Sequence, residues 1–150
     1  MQKDFDRWNI KKKRIEDASP THAFAASRRW VWMCALGVNV GFEEDGSMAQ
    51  FERPVLIVAK INNQMYWVVP LSSKQRAFDF CYNFTDPNGH AVSALVAQMR
   101  LISAKRLQRR MYKMPAKEFD TIVDRLRGYL KKSEPRTGRG SSESPEGNAV

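Results

Sequence analysis

Arg53 and the run Ser72-Ser73-Lys74 are the residues of this 150-residue chain best suited to chemistry. Arg53 heads the apolar run Pro54-Val55-Leu56-Ile57-Val58, and Ser72, Ser73 and Lys74 close the run Val68-Val69-Pro70-Leu71. If the two runs pair as strands, a guanidinium, two hydroxyls and an ammonium meet at one end of a small sheet. Arginine offers a rigid two-pronged donor set that matches phosphate oxygens, so such an end suits a phosphodiester. Plainer readings stand beside this one. Arg53 could be a strand-end cation paired with Glu52, Ser72 and Ser73 could simply end a strand, and Glu43-Glu44-Asp45 could be a solvated acidic loop. Histidine is a residue type suited to proton transfer, but neither His22 nor His90 sits in a motif, and both are read as surface or loop histidines.

The composition bounds the rest. Hydrophobic residues make up 43% and aromatics 11%, enough for one core. No apolar run is long enough to span a membrane, and Met1-Gln2-Lys3-Asp4 does not resemble a signal peptide. Cys34 and Cys81 lie in apolar stretches without CxxC spacing. They read as reduced core residues of a cytoplasmic protein, with neither a metal site nor a disulfide expected. The net charge is +9, and residues 101–131 hold nine Lys/Arg against three Asp/Glu. A basic surface so concentrated attracts nucleic acid or acidic protein segments, or it is merely a solvated basic face.

The elements that would position these residues follow from patterning. Residues 2–17 read as a helix capped by Asp4, with Phe5, Trp8 and Ile15 on a narrow face. A linker follows at 17–21. Residues 30–36 and 54–59 read as buried strands, with Pro54 at a first position that tolerates proline. Residues 42–51 form a polar loop. Asn62-Asn63 predicts a tight hairpin into 65–69, because Asn accepts positive φ. Phe78, Phe80, Tyr82 and Phe84 alternate, which predicts one aromatic face turned inward. Asp86-Pro87-Asn88-Gly89 is a turn, 92–102 a further strand region, and 107–112 another strand. Residues 115–131 carry the stripe Phe119, Ile122, Val123, Leu126, Tyr129, Leu130 and read as the clearest helix. Trp30, Trp32 and Trp67 could stack on bases but sit in apolar strands and are read as core. The division is then an N-terminal helix and linker (1–20), a barrel domain (21–131) and a disordered tail (132–150).

Taken in order, Trp30-Val31-Trp32, Gly37-Val38-Asn39-Val40-Gly41-Phe42-Glu43, Arg53-Pro54-Val55-Leu56, Val69-Pro70-Leu71-Ser72-Ser73-Lys74, Gln98-Met99-Arg100-Leu101-Ile102 and Lys105-Arg106-Leu107 resemble the MazF/PemK-like toxins over about residues 28–131. The resemblance implies a mainly β fold with α, an SH3-like small β-barrel, here with a helix at each end, and a homodimer. It also implies the toxin of a type II toxin–antitoxin pair, a metal-independent endoribonuclease needing no cofactor. Such toxins cut single-stranded RNA at short motifs and leave a cyclic phosphate and a free 5′-hydroxyl. The implied partners are the RNA, a cognate acidic antitoxin, and operator DNA reached mainly through the antitoxin, with no membrane.

By motif, Arg53 matches the family's catalytic arginine, and Ser72 stands where a threonine is usual. Glu43 matches the acidic residue of the preceding loop, and Gln98 the glutamine of a late strand. Ser73, Lys74, Gln98, Arg100 and Arg106 are candidate substrate contacts, with Lys105, Arg109 and Arg110 further cations for RNA phosphates or an acidic antitoxin. The loop from Gly41 to Arg53 is longer than in the commonest members, and the N-terminal helix and tail are additions. In-line cleavage needs a base for the 2′-hydroxyl, stabilisation of the phosphorane and a proton for the leaving oxygen. Arg53 suits the second task but, being almost always charged, not the first, so Glu43 is the expected base. Two other readings remain open from sequence: a non-catalytic barrel that binds nucleic acid or a protein, and a gyrase-directed toxin of the same fold.

Overall fold

The computed structural model describes residues 2–47 and 49–131, so the tail at 132–150 lies outside the described residues. Helix α1 spans Phe5–Asp17, and the Asp4 side chain accepts from the Arg7 amide at 2.9 Å to cap it. Only Trp8 of this helix is buried, while Phe5 and Ile10 face solvent. The helix therefore lies against the domain through one indole. Trp8 packs on Phe51, ring centroids 5.6 Å apart, and on Gly37, where a Cβ would stand 2.1 Å from the indole.

Seven strands follow among the described residues: β1 (Trp30–Ala35), β2 (Glu52–Lys60), β3 (Met65–Ser72), β4 (Cys81–Thr85), β5 (Ala91–Leu95), β6 (Arg100–Ser103) and β7 (Leu107–Lys113). The antiparallel order is β4-β5-β3-β2-β1-β7, with β6 also on β3. The sheet curls into a small barrel-like fold that is not closed. Strand β3 is the hinge of this arrangement. Its start pairs with β6 through Met65–Val68, and its end pairs with β5 through Leu71 and Ser72. The single strand region expected at 92–102 is thus two strands separated by a 3₁₀ turn, Val96–Gln98. The break lets one line of chain follow β3 around the bend.

Strands β1 to β3 are covered on both faces, which is why their sequences read as continuous apolar runs. Val31, Leu56 and Val69 face helix α2 (Ala116–Leu130) through Phe119, Ile122 and Leu126. Their neighbours Trp32, Val55, Ile57 and Val68 build a second cluster with Tyr66, Ile102 and Leu107. The α2 stripe holds as expected up to Leu126, and Leu130 is exposed.

Three expectations need correction. The 61–65 hairpin does not use positive φ. The Asn62 carboxamide accepts from the Gln64 and Met65 amides instead, at 2.8 and 2.9 Å. Phe78 and Phe80 precede β4 and stack on each other at the surface, 5.0 Å apart, so only Phe84 of that series enters the core. Trp67 is 42% exposed because it lies on the outer face of β3 opposite Leu101, whereas Trp32 is core as expected.

Gly37 has φ +81° as well as the indole against it. Gly37→Ala is therefore expected to destabilise the protein by about 2 kcal/mol through overpacking and backbone strain, read from the urea midpoint.

Candidate phosphodiester site

Arg53 is the second residue of β2, and the β2–β3 register (Val55 opposite Pro70), continued two residues, sets it opposite Ser72. The Arg53 Nη1 bond to the Leu71 carbonyl brings the guanidinium to the end of β3, as pairing of the two apolar runs predicts. The guanidinium is held on three sides. Nε donates to the Asp45 carbonyl at 2.6 Å, Nη1 to the Leu71 carbonyl at 3.1 Å, and Nη2 meets Glu44 Oε1 at 2.9 Å. Burial is the main influence on its pKa and lowers it from the ordinary arginine value, with the Glu44 carboxylate opposing. Charge-assisted bonds to such a half-buried cation fix its plane, since a guanidinium donates in rigid directions.

The carboxylate at this guanidinium belongs to Glu44. Glu43 Oε1 instead accepts from the Val40 amide at 2.8 Å and ties the loop tip. The difference between these adjacent residues comes from how the loop closes. Gly46 donates to the Gly37 carbonyl at 2.9 Å and approaches Phe51 so closely that a Cβ would lie 2.0 Å from its carbonyl carbon. That pinched neck aims the Asp45 carbonyl and the Glu44 side chain toward β2. Asp45 is no free solvated acid either, because its Oδ1 accepts from the Asn39 amide at 2.6 Å.

Arg76 is a member of the site that the sequence reading missed. Its Nη2 lies 3.9 Å from the same Glu44 oxygen, so Glu44 bridges two guanidinium groups. Asn83 holds the Arg76 backbone from both ends, accepting from its amide at 3.3 Å and donating to its carbonyl at 2.9 Å. The available signal was an asparagine in mid-strand, where it is disfavoured without a local partner. Asn83 and Ser72 are both register partners of Ser93, so these polar residues form one row across β4, β5 and β3.

Ser72 is 3% exposed, and its Oγ accepts from the Lys74 amide at 3.2 Å. It shapes the turn after β3, while Ser73 and Lys74 are exposed beyond it. Gln98 spans the loop. Its Nε2 donates to the Phe42 carbonyl at 2.7 Å, and its Oε1 accepts from the Glu44 amide at 3.2 Å. Beside it a cleft of about 290 Å³ is lined by Asn39, Glu43, Glu44, Pro70, Gln98 and Arg100. The Arg100 side chain makes no hydrogen bond or ion pair among the described residues. Phe42 stands at the loop tip fully in solvent. Arg106 Nη1 donates inside the protein, to the Ala35 and Leu36 carbonyls at 3.0 and 3.3 Å, and the guanidinium lies over the Trp8 ring. The structure thus joins Arg53 with Glu44 and Arg76, seats Ser72 in the turn after β3, assigns Gln98 to holding the loop, and leaves Arg106 as support for β1 and α1.

The arrangement offers two guanidinium groups around one carboxylate at the end of a half-buried strand pair. It can bind an anion and carries a base next to it. Gln98→Leu removes both ties to the loop and is expected to cost about 1 kcal/mol in urea unfolding, with the Glu44 amide exchanging faster by NMR.

The sequence model for PemK-like, MazF-like toxins of type II toxin–antitoxin systems matches residues 27–130. Among solved structures, MazF from Deinococcus radiodurans (Form-I) is similar at 15% identity and TM-score 0.59, over 70% of this chain and 96% of that one. The MazE–MazF complex (Form-II) from the same organism is similar at 16% identity and TM-score 0.52, over 71% and 95%. An endoribonuclease in complex with its cognate antitoxin from Mycobacterial species is similar at 17% identity and TM-score 0.51, over 73% and 99%. At such identities these structures share the fold. No curated protein is similar enough in sequence to be matched to this chain.

Proposed function

This chain belongs to the PemK-like, MazF-like toxins of type II toxin–antitoxin systems, and we propose that it is a metal-independent endoribonuclease cleaving single-stranded RNA through the 2′-hydroxyl. The observation that carries the reading is the Arg53 guanidinium, fixed by the Asp45 and Leu71 carbonyls with a carboxylate on its remaining edge. A preorganised cation of this kind stabilises developing negative charge without reorganising, and such stabilisation usually contributes more to catalysis than any other single effect.

The chemistry follows from proton positions. Glu44 takes the 2′-hydroxyl proton as the 2′-oxygen forms its bond to phosphorus. Arg53, with Arg76 beside it, stabilises the phosphorane. The bond from phosphorus to the 5′-oxygen then breaks, and Arg53 donates the proton the leaving oxygen needs. Its lowered pKa assists that step. The proton held by Glu44 returns to Arg53 along the 2.9 Å contact between them, so the site is restored. The products are a 2′,3′-cyclic phosphate and a 5′-hydroxyl. Ser72 supports the turn that presents Ser73 and Lys74, whose exposed donors suit neighbouring phosphates, and Arg100 suits the strand as it leaves. In this reading Glu44, one residue after the acid expected from the motif, serves as base.

The same cations suit the acidic segment of a cognate antitoxin, a partner of the kind that the Mycobacterial endoribonuclease has in its complex. We extend the proposal to that partner and to a homodimer acting in the cytoplasm, with operator DNA reached through the antitoxin. Among the described residues no helix is long and apolar enough to cross a membrane.

Arg53→Ala is expected to lower single-turnover cleavage of a single-stranded oligoribonucleotide about a thousandfold. Retained strand scission in that variant, or no scission of any single-stranded RNA by the folded wild type, contradicts the proposal. Glu44→Gln is expected to cost about a hundredfold, the usual worth of a general base, while Glu43→Gln changes the rate little. Equal losses at both positions would remove the assignment of Glu44 as base.

A further inference from the structure

Helix α1 lies ahead of the residues matched by the family model and supplies no group to the site. Its charged side chains nevertheless converge on one target. Lys3, Arg7 and Lys11 are spaced four residues apart, so they share one side of the helix and its lead-in. Each reaches main-chain oxygens of the long loop between β1 and β2. Lys3 Nζ donates to the Asn39 carbonyl at 2.7 Å and the Gly41 carbonyl at 3.0 Å, and meets Asp45 Oδ2 at 3.1 Å. Arg7 donates to the Ala49 carbonyl. Lys11 Nζ donates to the Gln50 carbonyl at 2.5 Å and meets Glu52 Oε2 at 3.4 Å.

Lys3 stands out among these contacts. An ammonium has three donors and no acceptor, and here all three find oxygen atoms from three different loop residues. One of those residues is Asp45, whose carbonyl receives Arg53 Nε. A lone exposed lysine–carboxylate pair contributes little. A lysine that ties three loop positions, with two more cations continuing the row, restricts the loop as a body. Trp8 anchors the helix from which they act, so removing a single cation leaves the helix docked.

We propose that α1 is a splint for the β1–β2 loop, and that Lys3 is a positioning residue setting Asp45, and through it Arg53, for the bound phosphodiester. The inference rests on the reading of the Arg53 site given above, but its first test does not. A long loop fluctuates among conformers, and a reactive group displaced by about 1 Å costs about a hundredfold in rate. Lys3 in the lead-in and Arg7 and Lys11 on the helix hold the loop, and the cleft beside Gln98 stays open.

The test uses the full chain with Lys3→Met, Lys3→Arg and Lys12→Met, the last an exposed cation of the same helix that contacts no loop oxygen. Hydrogen exchange of the amides at 39–46 is expected to rise about tenfold in Lys3→Met, to stay near the wild-type value in Lys3→Arg, and not to change in Lys12→Met. The Lys3→Met rate of single-turnover cleavage at saturating RNA is expected to fall at least about tenfold with the thermal midpoint little changed. Unchanged exchange in Lys3→Met overturns the splint. Increased exchange with an unaltered rate overturns the positioning role. Increased exchange in a protein whose wild type cuts no RNA leaves the splint standing and removes the nuclease reading instead.

Discussion

A guanidinium taken partly out of water is the constraint around which the rest of this protein is arranged. Arg53 is costly to bury unless its donors are used, and the fold uses them with the Asp45 carbonyl, the Leu71 carbonyl and the Glu44 carboxylate. These acceptors come from two parts of the chain. Leu71 belongs to the neighbouring strand, and Asp45 and Glu44 belong to a loop whose neck is closed at Gly46. The site therefore exists only when strand register and loop closure are both correct. Burial also lowers the arginine's pKa, so the group proposed to bind phosphate is a better proton donor than an exposed arginine.

The surrounding architecture answers that demand in layers. The β1–β3 strands are covered on both faces, which fixes their register strongly, because a slip by one residue would exchange the two hydrophobic clusters. Register in turn fixes Arg53 against the end of β3. The loop, which lacks such packing, is held by polar ties from two directions. Gln98 grips it on one side at Phe42 and Glu44, and α1 grips it on the other through Lys3, Arg7 and Lys11. The loop and the helix ahead of it thus fit together as one feature, with three cations of the helix and its lead-in on the loop's carbonyls.

Much of this was legible in the sequence, and what was missed shares a physical character. The strands around Val55 and Val68, the α2 stripe and the Arg53–Ser72 meeting follow from apolar periodicity and simple antiparallel pairing. The α1 cap at Asp4 followed from local chemistry. Glu44 could not be separated from Glu43, because adjacent loop residues differ only in direction, and direction here comes from Gly46 folding against Phe51. Arg76 was hidden because its place depends on Asn83, a strand away. The ties from α1 and its lead-in to the loop were hidden because its cations meet backbone carbonyls, which carry no residue-specific signal. The outward turn of Trp67 and of Phe78 and Phe80 reflects tertiary placement overriding a local pattern that suits either face.

The central claim is that the phosphodiester binds at Arg53 and Arg76, and side-chain NMR tests it most directly. The Nε–Hε resonances of the arginines can be followed during titration with a single-stranded RNA analogue carrying 2′-deoxy residues, which binds without being cut. The account predicts large shifts and slowed exchange at Arg53 and Arg76, while Arg106, which lies over the Trp8 ring with Nη1 on the Ala35 and Leu36 carbonyls, stays unmoved. Saturable binding that shifts Arg106 or the α1 cations and leaves Arg53 unchanged would contradict it.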